Sequence, residues 1–179
     1  MNSFRRILIN CVWLLSELEV VFSRPGNSIF LRRIFLRLNK VKFGKALWIG
    51  PGFELILPEY LSLGERCALG GSVKIENFAM INIGDDFTGS SGLFLASGSH
   101  DPVSMAPKNR PIIIGDRVYC GVNVTILSGV TIGNDVVIGA GSLVCSDIPS
   151  NTLAVGVPAR VIKALDRSKV KMLWTWTPW

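Results

Sequence analysis

The chain is poor in groups that bind metals or carry charge. Its 179 residues include one histidine, His100. The four cysteines, Cys11, Cys67, Cys120 and Cys145, show no C-x-x-C spacing. A Cys/His zinc site needs several such ligands at short spacing, so none is expected. The cysteines read instead as buried small hydrophobes in a reducing compartment. Charged residues make up only 18%, against 49% hydrophobic and a mean hydropathy of +0.41, which excludes disorder. Long apolar runs are also missing. The N-terminal run at residues 7–15 falls short of the ~20 residues a membrane-spanning helix needs. No small-x-small cleavage site follows it, so it does not read as a signal peptide.

Acidic residues are scarcest at the N-terminus. Residues 1–45 hold nine Lys/Arg against Glu17 and Glu19, a balance of +7. Residues 46–179 hold ten against eleven and are nearly neutral. The first segment reads as an amphipathic helix, a break at residues 24–27 (RPGN), and a second basic helix over about 28–38 with Arg32, Arg33 and Arg37 between apolar residues. Two uses fit it. It can cover the end of the domain that follows, or rest on an anionic membrane as an interfacial helix. Nucleic acid is not an expected partner, because the basic segment lacks the pattern of a binding module.

What the chain has in quantity is glycine, and in one place: 17 of 18 glycines lie between Gly44 and Gly156. Reading in sixes gives Ile114, Cys120, Ile126, Ile132, Ile138 and Val144. The fifth position of each six gives Val118, Val124, Val130, Val136, Ser142 and Ile148. Six steps of a helix scatter these positions around its axis, whereas six residues of extended chain return to the same side. Each six is therefore a short strand with an inward aliphatic, then a corner where glycine accepts positive φ. Three strands close a triangular coil of about 18 residues, and coils stack as parallel sheets. A rougher array, Leu57, Leu63, Leu69, Ile75 and Ile81, precedes it, and the frame then slips to Ile83. The repeat breaks at residues 97–101 (SGSHD), and residues 102–111 (PVSMAPKNRP) read as an ejected loop.

Residues 118–133 (VYCGVNVTILSGVTIG), 137–144 (VIGAGSLV), 147–149 (DIP) and 156–163 (GVPARVIK) carry a resemblance. The chain resembles the hexapeptide-repeat acyltransferases, in particular the O-acetyltransferases of polysaccharide and lipopolysaccharide pathways. The close likeness covers residues 83–163 and a looser one reaches back to Trp48. The resemblance implies a mainly β fold: a left-handed parallel β-helix with N-terminal helices and a short C-terminal helix. General crossover rules alone favour the opposite hand. The expected divisions are a basic helical segment at 1–45, the β-helix at 46–163 with its loop at about 101–111, and a tail at 164–179.

The resemblance also implies a homotrimer with acetyl-CoA in a groove between neighbouring chains, a saccharide acceptor, lipid-linked or free, and no metal. His100 occupies the family's catalytic His-Asp position. Forming an ester needs a base for the hydroxyl proton, and imidazole in general titrates near ~6.5, so it serves at neutral pH. Asp101 and a backbone carbonyl are both candidates to orient its ring. Arg160 and Lys163 fall in the nucleotide-contacting stretch, where cations suit the CoA phosphates. Gly121, Ala140 and Gly141 are small enough for the pantetheine arm to approach closely, though they are equally plain repeat corners. Tyr119 stands where the family usually has tryptophan, and Cys145 where many members have threonine near the cofactor. Gly70 and Gly71 replace the sugar-contacting asparagine of the simple galactoside and maltose enzymes, which counts against a small free galactoside.

Rival activities on this fold meet obstacles. One histidine cannot supply the zinc triad of a γ-class carbonic anhydrase. Forty-five residues cannot hold the nucleotide domain of a sugar nucleotidyltransferase. An N-acetyltransferase and a non-enzymatic scaffold remain as alternatives, the first using the same base chemistry. The expected location is cytoplasmic, with peripheral contact at the inner membrane face.

Overall fold

The computed structural model describes residues 26–166. Helix α1 (Gly26–Leu38) leads into five stacked coils. The first holds β1 (Leu47–Ile49), β2 (Glu54–Leu55) and β3 (Leu61–Leu63), and the second β4 (Cys67–Leu69), β5 (Lys74–Glu76) and β6 (Ile81–Ile83). The third holds β7 (Thr88–Gly89), β8 (Phe94–Ala96) and β9 (Ile112–Ile114), and the fourth β10 (Tyr119–Cys120), β11 (Thr125–Leu127) and β12 (Thr131–Ile132). The fifth has β13 (Val137–Ile138) and β14 (Leu143–Val144), and the hairpin β15 (Thr152–Gly156) with β16 (Ala159–Ala164) closes the stack. Parallel pairing gives three sheets, β1-β4-β7-β10-β13-β15, β2-β5-β8-β11-β14 and β3-β6-β9-β12, and β16 adds antiparallel to the first. The architecture is a left-handed parallel β-helix.

Both inward positions of the six-residue unit are buried. Val118, Val124, Val130 and Val136 alternate with Cys120, Ile126, Ile132 and Ile138 in one continuous core. Taking each such aliphatic out of water contributes about 1.5–3 kcal/mol. The first two coils correct the expected length: the side-chain-to-backbone bonds that step between them span 20 residues, against 18 between the fourth coil and the fifth. The two additional residues widen the corner between the second and third faces. Leu57, expected in the column, lies half-buried at that corner, while Ile81 and Ile83 both point inward. The wide corner carries buried polar side chains because its backbone bonds are otherwise unmet. Asn77 accepts from the Leu57 N–H at 2.9 Å and donates to the Leu57 carbonyl. One coil on, Ser97 accepts from the Ala79 N–H at 2.8 Å and donates to the Ala79 carbonyl at 2.9 Å.

The glycines that follow the inward residues do not use positive φ. That conformation falls two residues later, at Arg117, Asn123, Asp135 and Gly141. Gly115, Gly121 and Gly133 are glycine because the next coil is too near: a Cβ on Gly121 would stand 2.6 Å from the Ala140 nitrogen. The corner between the third and first faces is held by a ladder. The N–H of Lys45 donates to Glu65 (2.7 Å), that of Glu65 to Asp85 (2.8 Å), that of Asp85 to Asp116 (2.9 Å), that of Asp116 to Asn134 (2.8 Å) and that of Asn134 to Ser150 (2.9 Å).

Helix α1 covers the open end of the first coil. Leu36 is buried in the solenoid core with Leu47, Ile49 and Phe53. The helix ends in a Schellman turn: Lys40 takes φ +61°, the Val41 N–H donates to the Leu36 carbonyl at 3.0 Å, and both side chains are buried. Arg32 turns inward and is not available to an anionic membrane, the use the sequence offered for it. It is buried and donates to the Ile49 carbonyl at 3.0 Å, meeting an acceptor that the first coil cannot pair with another coil. Arg33 donates to the Lys45 carbonyl, and Arg37 lies 5.6 Å over the Phe43 ring. The expected first helix and C-terminal helix fall outside the described residues. Among the described residues no helix is long and apolar enough to cross a membrane.

Candidate functional site

His100 leaves the stack at the widened corner after β8, where the third coil runs to 31 residues. The departing chain is an ordered hairpin. His100 bridges Pro107 antiparallel, the Asp101 N–H donates to the Ala106 carbonyl at 2.8 Å, and the Lys108 N–H to the Ser99 carbonyl at 2.7 Å. Asp101 spends its carboxylate inside this loop. One oxygen accepts from the N–H groups of Ser104 (2.9 Å) and Val103 (3.0 Å) and from the Ser104 hydroxyl (3.1 Å), and the other lies 3.8 Å from Lys108. The Ser104 and Val103 amides hold its carboxyl below the usual carboxylate range. Of the two candidates to orient the His100 ring, Asp101 is therefore engaged as the loop's clasp. The imidazole is exposed and faces the solvent side of the corner.

The two flanks of this corner differ. On the coils before His100 it exposes apolar side chains: Ile56, Tyr60, Phe78 and Met80. On the coil after it, Arg110 lies across Gly129, and its N–H donates to the Ser128 hydroxyl at 3.1 Å. Sequence reasoning missed both flanks, since the wide corner breaks the repeat that made other positions readable.

Most of the expected cofactor residues gather at a different corner, after the first face. Tyr119 on β10 is partly exposed, and its phenolic oxygen accepts from Ser90 at 3.2 Å. Gly121 and Ala140 stack directly, Gly121 buried and Ala140 exposed. Gly141 takes φ +69°, with nothing within 4 Å of where a Cβ would stand. Arg160 pairs with Val155 near the turn of the hairpin, whereas Lys163 pairs with Leu153 beyond a bulge. The two cations occupy opposite halves of β16. Cys145 follows β14, at the same type of corner as His100 and away from Tyr119, and it is exposed, against the expectation of burial. Cys67 and Cys120 are buried as expected, and burial pushes their thiols up to about 11 and about 12. Cys11 lies outside the described residues.

The chain is similar to known proteins over most of its length. Residues 111–146 match the family described as bacterial transferase hexapeptide (six repeats). The colanic acid biosynthesis acetyltransferase WcaF of Escherichia coli K12 is 35% identical over 134 residues, covering 74% of each chain. The lipopolysaccharide biosynthesis O-acetyl transferase WbbJ of the same strain is 40% identical, over 79% of this chain and 87% of its own. The chain belongs to the hexapeptide-repeat acetyltransferases. A crystal structure of a hexapeptide-repeat acetyltransferase from Vibrio cholerae O1 biovar eltor, complexed with acetyl-CoA, superposes with a TM-score of 0.74 at 27% identity, over 89% of this chain and 88% of that one. As a hexapeptide-repeat acetyltransferase the protein is an enzyme that moves an acetyl group. Among its described residues no group of three or more His, Cys, Asp or Glu is placed to hold a metal ion.

Proposed function

We propose that this acetyltransferase moves the acetyl group of acetyl-CoA to a saccharide hydroxyl during synthesis of a surface polysaccharide or lipopolysaccharide. The observation that carries the reading is the chain's one imidazole, exposed on a clasped hairpin at a corner of the β-helix. An imidazole nitrogen of His100 takes the proton of the acceptor hydroxyl as that oxygen attacks the thioester carbonyl. The tetrahedral intermediate collapses, the C–S bond breaks, and the imidazolium returns the proton to the thiolate, leaving CoA and an acetyl ester. The relatives named for O-acetyl transfer in colanic acid and lipopolysaccharide synthesis support this acceptor class. The structure bound to acetyl-CoA supports the donor.

The separation of His100 from Tyr119, Gly121 and Ala140 supports a site completed by a second copy, in a cyclic trimer. A closed ring brings one corner of each chain against a different corner of its neighbour. In this arrangement Arg160 holds a CoA phosphate. Acetyl-CoA as donor supports a cytoplasmic location for the reaction. With Arg32 buried, contact with an anionic membrane would involve, among the described residues, the exposed Arg37, Lys40, Lys42 and Lys45.

The test is mass spectrometry of candidate saccharides incubated with acetyl-CoA and the protein. The expected product carries one added acetyl group, and His100→Ala lowers turnover by about 10²–10⁴-fold. Mixing His100→Ala chains with Ala140→Arg chains restores activity if two copies share a site. A fully active monomer, or an active His100→Ala variant, overturns the mechanism.

A further inference from the structure

The donor residues all lie on the fourth and fifth coils and the closing hairpin, so the acceptor approaches His100 from the other flank. There the corner column runs Pro58, Phe78, Gly98, one residue from each of the first three coils. The Phe78 ring lies over Gly98 so closely that a Cβ at that glycine would come within 2.6 Å of the ring's Cδ2. Gly98 is two residues from His100, and the chain spans at most ~3.6 Å per residue, so the two Cα atoms are within about 7 Å. Phe78 is nevertheless 46% exposed, at a corner that also exposes Met80 (38%) and Tyr60 (42%). An aromatic face left half open next to the base is a low-entropy contact surface for a ligand with both apolar and polar edges.

We propose that Phe78 is the platform on which a pyranose ring of the acceptor stacks, its C–H face on the phenyl ring and its hydroxyl edge turned to His100. This deepens the acetyl-transfer reading and rests on it. The platform selects for a ring with several C–H groups on one face and tolerates variation in the hydroxyls that point away. It places no demand on Gly70 or Gly71, where the chain has no side chain to offer a sugar.

The test compares Phe78→Leu, Phe78→Tyr and wild type, with acetyl-CoA and a panel of p-nitrophenyl pyranosides. Leucine keeps apolar packing on Gly98 without a ring, and tyrosine keeps the ring. Phe78→Leu is expected to raise the acceptor KM about three- to tenfold, the range of one aromatic contact, and to leave the acetyl-CoA KM unchanged. Phe78→Tyr should stay within about twofold of wild type. If leucine and tyrosine behave alike, or both KM values move together, Phe78 only packs the loop and the platform is wrong. If wild type, while still binding CoA, acetylates neither these pyranosides nor any saccharide screened by mass spectrometry, the saccharide reading itself fails and the platform with it.

Discussion

Gly121→Ala separates two reasons for a small residue at the cofactor edge. If Gly121 is small so that a ligand can approach, an added methyl leaves the fold intact and weakens acetyl-CoA binding. If the coil spacing requires it, the methyl damages the fold first. A Cβ at Gly121 would lie 2.6 Å from the nitrogen and 2.9 Å from the Cα of Ala140. Both are backbone atoms of the last coil, held between the fourth coil and the closing hairpin, so neither can swing aside. Overpacking of this kind costs typically ~1–3 kcal/mol. At about 2 kcal/mol, a chain of this size loses about 4–8 °C in Tm. Gly141→Ala is the matched control. Its methyl meets nothing within 4 Å, and its cost is that of a side chain at φ +69°, about 1–2 kcal/mol. That methyl enters the open edge proposed to hold acetyl-CoA. Thermal unfolding followed by circular dichroism, with KM for acetyl-CoA measured on the same preparations, decides the matter. The expected result is a larger Tm loss for Gly121→Ala and a larger KM rise for Gly141→Ala. A Gly121→Ala protein as stable as wild type refutes the stacking argument.

Other outcomes follow from the same geometry. Arg160→Ala should raise the KM for acetyl-CoA about tenfold, as loss of a charge-assisted phosphate contact does, with kcat little changed, while Lys163→Ala changes it less. Equal effects would mean that the two cations converge on one phosphate despite opposite positions along β16. Asp101→Ala should speed tryptic cleavage after Lys108 several-fold, because the clasp that closes the hairpin is gone; an unchanged rate refutes the clasp. Since the folded carboxyl is held below its unfolded value of about 3.9, its contribution to loop order is complete above that pH and is lost as pH falls through the lower folded value. The amide resonances of Val103 and Ser104 should therefore titrate with a midpoint below the ordinary aspartate range.

The column from Ile114 to Val144 was legible because a strand repeats its facing every second residue, and an even period keeps one position inward throughout. The first coils were harder to read because their widened corner is held by Asn77 and Ser97, polar residues whose burial no hydrophobic pattern reveals. The same even spacing hid the exchange at Ile81 and Ile83, which are both inward. Glycine has two roles that the spacing does not separate: Gly52, Gly92, Gly129 and Gly141 take left-handed corner positions, as Arg117, Asn123 and Asp135 also do, whereas Gly115, Gly121 and Gly133 yield space to the next coil. Helix α1 was visible in its periodicity, but the inward turn of Arg32 depends on the Ile49 carbonyl, a partner seventeen residues away in the chain. The pairing that parts Arg160 from Lys163 depends on a bulge in the closing hairpin, which leaves no mark on the spacing of the two residues. His100 stood out because it is unique and interrupts a repeat, whereas Phe78 sits inside an irregular stretch that gave no reason to choose it.

The ladder at the third corner has an evolutionary consequence. Each of its acceptors captures the amide of the coil before it, whether the intervening chain is 16, 18, 20 or 31 residues long. That edge keeps the registration of one storey on the next through every change of length, while the wide corner, tied coil to coil by Asn77 and Ser97, takes up the additional residues. Insertions there lengthen a storey without tilting those above it. The His100 hairpin occupies such a spot, so its length and composition can drift, and with them the choice of acceptor, while the stack that holds the donor residues keeps its spacing.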